Sequence, residues 1–138
     1  MARWTTLLGA VAAATVLATM GIGGTFSLHG RSDARATEAQ ARSLAIAFFR
    51  SQNDRRYEVT CRLLSLGFIR THALRDRQTC TAVMRIAFVW SGRIDFRIGI
   101  VTREADRVVV NALADGAPGR LVFVREDGAL RILAVQDG

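Results

Sequence analysis

Cys61 and Cys80 are the side chains in this sequence best suited to chemistry, and they are its only cysteines. A zinc site would need four nitrogen or sulfur ligands, and only His29 and His72 could add to the two thiols, so no metal is expected. A redox pair more often sits at Cys-x-x-Cys spacing, whereas these two are 19 residues apart. A structural disulfide closing a loop of that size would stabilise a small domain by about 3 kcal/mol in the chain-entropy account. Two buried free thiols are the other reading. An even cysteine count behind an export segment favours the bridge.

The remaining polar groups do not assemble into a catalytic set. Tyr57 has the best-placed polar tip, on an apolar helix face, where a tyrosine is ordinarily a core residue with its hydroxyl at the rim. Asp95 alternates with Arg93 and Arg97 and is read as solvated. His72 lies in an irregular, arginine-rich segment; Glu104 and Asp106 belong to a turn; Asp127-Gly128 is a hairpin signal; and Asn111 sits where neither strand face is plainly inward. No Ser–His–Asp set, phosphate loop, metal-binding helix or dinucleotide fingerprint is present in the sequence. The expectation is therefore no catalytic residue and no cofactor. Arg93 and Arg97, two residues apart on one strand face, offer a positive stripe for an acidic partner or lipid headgroups, although a solvated sheet face is the plainer reading.

The chain has 138 residues with a formal net charge of +7, and every one of its 19 basic residues is arginine. Such an excess invites a nucleic-acid reading. After Arg3, the arginines are spread from Arg31 to Arg131 and interleaved with acids, with only Arg55-Arg56 adjacent. No run resembles a basic arm, so nucleic-acid binding is not expected.

The segment from Trp4 to Leu28 carries no charge. A spanning helix needs roughly 20 apolar residues and a cleavable signal about 7–15 in its apolar region, so the length favours an uncleaved anchor. Ala34-Arg35-Ala36 still offers a small-x-small cleavage site, and a cleaved signal stays open. Either reading makes residues 1–30 a targeting segment and places residues 31–138 outside the cytoplasm, held at the membrane through residues 4–28 or secreted.

Hydrophobic periodicity divides the rest of the chain in two. Ala41, Leu44, Ala45 and Phe48 fall at helical spacing within a helix spanning about 32–51. Asp54 is the expected N-cap of a second helix carrying Tyr57, Cys61 and Leu64, with Gly67 as its stop. An irregular segment then leads to a short third helix around Thr79–Arg85, with Cys80, Val83 and Met84 as its apolar side. Beyond it the period becomes two: Ile94, Phe96, Ile98 and Ile100 alternate with Arg93, Asp95, Arg97 and Gly99. Strands at Arg107–Leu113, Arg120–Arg125 and Ala129–Val135 follow, joined by Gly- and Asp-rich separators too short for parallel crossovers. The predicted layout is α+β: after an N-terminal membrane helix, three helices packed on a curved four-stranded antiparallel sheet.

The run SLAIAFFRSQNDRRYEVTCRLLS, with its break at Asn53-Asp54, its aromatic Tyr57 and Cys61, then Cys80 and the ending RLVFVREDGALRIL, resembles small secreted or membrane-anchored members of the nuclear transport factor two-like superfamily, in its two-cysteine subgroup. The likeness covers about residues 36–136, and Leu130 stands where such domains often carry a Trp. It implies a sheet curled into a cone around the helices, holding a small ligand or an active site in some members. On that basis Tyr57, Phe48 and Phe96 are candidate pocket residues. A cone filled by Phe48, Phe49, Phe96 and Phe123 would exclude a ligand, while a cavity of several hundred Å³ with Tyr57 at its wall would favour one. The leading expectation is a non-enzymatic, tethered extracytoplasmic domain that associates with a protein partner. Small-molecule binding is the alternative, and an isomerase-like enzyme is a more distant one.

Overall fold

In the computed structural model, residues 29–72 and 74–138 are described, with side chains from Thr37 onward. The proposed anchor at residues 4–28 lies outside the described residues. Four helices come first: α1 (His29–Asn53), α2 (Tyr57–Leu63), α3 (Leu66–Thr71) and α4 (Arg77–Ala87). Four strands follow: β1 (Phe96–Glu104), β2 (Arg107–Ala114), β3 (Ala117–Glu126) and β4 (Ala129–Asp137). They form one antiparallel sheet in the order β1-β2-β3-β4. None of the helices among the described residues is long and apolar enough to cross a membrane.

The meander follows from its turns. Asp115-Gly116 and Asp127-Gly128 each place both residues at positive φ, the type I′ geometry whose twist matches a two-residue hairpin. The first of these turns starts β3 at Ala117, three residues before the predicted start, so that Pro118 falls inside an interior strand. Ala114 and Ala117 flank the turn as a register pair and take the hydrogen-bonded position. The Pro118 nitrogen then faces the β4 side at the sheet's end, where a missing N–H interrupts little of the ladder.

The core lies between the helices and one sheet face. Ala41, Ala45, Phe48 and Phe49 of α1 are buried against Val108, Val110, Ala112, Leu121, Phe123 and Ile132. Phe49 stacks on Phe96 with ring centroids 4.8 Å apart, and Phe48 meets Phe49 edge-on at 5.4 Å. These rings fill the space between α1 and the sheet, so Phe48 and Phe96 serve as packing.

Four local expectations need correction. First, there are four helices among the described residues instead of three, because the segment read as irregular contains α3. Ser65 caps that helix by accepting the Phe68 N–H, and the sheet holds it: Ser65 N–H donates to Ile132 O at 2.9 Å, and both Glu126 carboxylate oxygens accept Leu66 N–H. Second, Gly67 lies inside α3 and ends nothing. A Cβ there would meet Leu133 Cδ1 at 3.2 Å, so the residue is small for packing against β4. Third, α2 starts after Arg56, with no side-chain cap, and Asp54 lies in the preceding turn. Fourth, the alternation of β1 does not persist. A register shift between Ile98 and Val101 turns Val101 toward the core and leaves Ile100 71% exposed. Such a bulge shifts every later residue to the other face. Arg42 donates to Gly99 O at 2.9 Å and Asn111 to Ile100 O at 3.1 Å, fixing the extra residue.

Candidate functional site

Cys61 on α2 and Cys80 on α4 are joined in a disulfide, with Cα atoms 6.0 Å apart and both residues fully buried. The bridge ties the second helix to the fourth, across α3, where three helices in sequence had suggested second to third. It leaves no free cysteine among the described residues.

A cavity of about 130 Å³ opens where the C-terminal end of α1 meets the segment between α4 and β1. Two side-chain devices hold the elements around it. Asn53, the last residue of α1, donates through Nδ2 to Ile94 O at 2.9 Å and accepts Ile94 N–H on Oδ1 at 2.7 Å, imitating a strand partner. Next to Gln52 in the chain, Ser51 Oγ donates to Phe48 O and lies 2.6 Å from Thr60 Oγ1. Since Ser51 has a single hydroxyl hydrogen, Thr60 is the donor of that second bond, and the pair locks α1 to α2. Tyr57, buried and stacked on Phe88 at 6.2 Å, supplies an aromatic wall.

Gln52 also lines this cavity and is only 7% exposed. Its Nε2 donates to Phe48 O at 3.4 Å, and Oε1 is buried with no donor among the described residues. A buried acceptor left unpaired costs about 1–3 kcal/mol. Arg55 and Arg93 contribute to the same walls, with Ser91 and Gly92 between α4 and β1. Arg55 is held at φ 57°, a left-handed conformation uncommon outside glycine, asparagine and aspartate.

The residues singled out from sequence therefore separate. Tyr57 and Arg93 meet at the cavity, while Phe48 and Phe96 are absent from its lining. Arg93 precedes β1 instead of sharing a strand face with Arg97, which is exposed on β1 opposite Leu113. Asp95 is exposed, and its backbone N–H donates to Asp115 Oδ1. His72 caps α3 and lies against Phe68. Among the described residues no group of three or more His, Cys, Asp or Glu could hold a metal ion.

No family model matches the chain. No curated protein or solved structure matches it either.

Sequence reading missed Gln52 and a second surface feature. Val83, Ile86, Val89 and Trp90, on and just after α4, form an exposed apolar ridge, with Ile86 76% and Trp90 94% exposed. Three-residue spacing puts Val83 and Ile86 along one side of α4, and Val89 and Trp90 lie in the turn that follows it. Val83, expected from the sequence on the inward side of this helix with Cys80 and Met84, is instead 42% exposed, while those two are buried. Arg85 on α4 is exposed, and Arg93 follows Trp90 closely in the chain.

Proposed function

We propose that this protein is a tethered extracytoplasmic domain of the nuclear transport factor two-like kind that works by association, using the ridge at the end of α4 to grip a protein partner. The observation that carries the reading is Trp90. Large aromatic side chains are seldom left so fully in water, and aromatic anchors flanked by arginine are what dominate binding energy at protein interfaces. Arg85 and Arg93 give the partner its chemistry: an apolar socket with an acidic rim.

Chain geometry favours a protein over a lipid surface. At 1.5 Å per residue, the 25 residues of α1 span about 37 Å. Residues 4–28 join its first residue, whereas its last, Asn53, is clamped to Ile94 beside the ridge. On the tethered reading, Trp90 is carried away from the bilayer.

Photo-crosslinking from position 90 of the full-length chain in its native membrane tests this, with Asp127, on a distant hairpin turn, as the control position. A defined protein adduct from position 90, absent from 127 and at least about tenfold weaker in Ile86→Asp, is the expected result, since losing one buried anchor costs that much or more. Lipid adducts alone, or equal labelling from both positions, would overturn it.

A further inference from the structure

Two hairpins of the sheet turn on the same dipeptide, and the difference between them points to a chemical modification site that owes nothing to the ridge. We propose that Asp127-Gly128 is where this chain ages by isomerising to isoaspartate, while Asp115-Gly116 is protected. In this reaction the Gly128 nitrogen attacks Cγ of the Asp127 carboxyl. The new N–Cγ bond closes a succinimide, and the carboxyl hydroxyl leaves as water with the amide proton. Water then adds back at either carbonyl. Addition at the former main-chain carbonyl breaks its bond to the Gly128 nitrogen, so the chain thereafter runs through Cβ and Cγ of residue 127, one methylene longer. The water lost is the water regained, and no other reactant takes part. Glycine favours the attack because no side chain shields its nitrogen.

The two turns share one backbone. Asp115 and Asp127 lie at φ 52° and 51°, Gly116 and Gly128 at 80° and 79°, and a Cβ at either glycine would meet nothing within 4 Å. Backbone geometry and crowding therefore cancel in the comparison, and the carboxylates decide it. Asp115 Oδ1 accepts the Asp95 N–H at 3.0 Å, a bond between the turn and the chain entering β1 that must break before the carboxyl can react. Asp127 is exposed, and its carboxylate has no hydrogen bond or ion pair among the described residues. Its neighbours give the product a consequence. Glu126 accepts Leu66 N–H with both carboxylate oxygens and pairs with Arg77 at 3.6 Å, while Arg125 donates to Gly128 O and to Thr37 Oγ1. An added methylene at 127 strikes the turn that aligns β3 with β4, directly beside the contact that holds the start of α3.

Peptide mapping of the full-length chain during prolonged incubation at neutral pH tests this, because cleavage at arginine places Asp115 in residues 108–120 and Asp127 in residues 126–131. Isoaspartate should form at 127 about fivefold faster than at 115, the weight of one hydrogen bond that must first be given up. In denaturant the two rates should converge. Hydroxylamine, which cleaves succinimides, should cut the folded chain after residue 127. The purified isoaspartate-127 chain should exchange its Leu66 and Ile69 amide hydrogens faster than the unaged chain does. Equal rates at the two sites of the folded chain, a faster rate at 115, a ratio that persists in denaturant, or no product at 127 in the folded chain would each overturn the proposal. Unaltered exchange at Leu66 and Ile69 would overturn its consequence for α3.

Discussion

Asn53 commits both ends of its amide to one residue, Ile94, and so converts the end of a helix into a partner for the chain entering the sheet. Asp76 does comparable work at the start of α4, where its carboxylate accepts the Thr79 N–H at 2.7 Å. That backbone bond, then the Thr79 hydroxyl, holds the Asp76 carboxyl below its ordinary value of 3.8, with Arg75 adding a smaller push in the same direction. The sign follows from linkage: a carboxyl whose folded pKa is depressed adds stability that is complete above its unfolded pKa and disappears as pH falls through the folded one. Thermal midpoints of the native chain and of Asp76→Asn, which keeps a cap but does not titrate there, should diverge at neutral pH in favour of the native chain. They should converge as the medium is acidified below about pH 4, the ordinary aspartate range. Parallel curves would show that the cap charge is immaterial. At this scale the sequence is only partly readable. Asp76 follows a general capping preference, whereas the orphaned Gln52 oxygen depends on Phe48, Ser51 and Thr60 having settled their own hydrogen bonds.

Among the elements, the hairpins were legible because Asp-Gly carries its own geometry to Asp115-Gly116 and Asp127-Gly128. The helix α3 and the bulge of β1 were not. Both are held by distant groups, Ile132 and Glu126 for the helix and Arg42 and Asn111 for the bulge. No local pattern announces a partner 57 residues away. The disulfide lay between these extremes, since pairing followed from compartment and count but its placement across α3 did not. Its loop contains the α3 cap and the start of α4, so opening it frees that whole stretch. The double variant Cys61→Ala, Cys80→Ala should lose about 3 kcal/mol of unfolding free energy, measured by denaturant titration. A loss under about 1 kcal/mol would mean that α2 and α4 are held by packing alone.

Across the molecule, the long helix α1 packs on β1 and β2, while the short helices α2 and α3 meet the sheet at β4. Ile132 pairs as a parallel bridge with Leu64 and accepts the Ser65 N–H; Arg131 donates to Arg62 O; and Leu130 and Ile132 are buried in the common core. Helices α2 and α3 thus depend on a strand that leaves the ribosome after every helix. A chain stopped at Gly128 should be cleaved by protease as fast as the denatured protein and should fail to accumulate the Cys61–Cys80 bridge. Resistance equal to that of the full chain would refute the dependence. On the proposed reading, in which residues 1–30 direct export, this late closure would act as a timer: the helices and the first three strands would stay slack enough to pass through a narrow channel, and the structure would set only once residues 129–137 had come through.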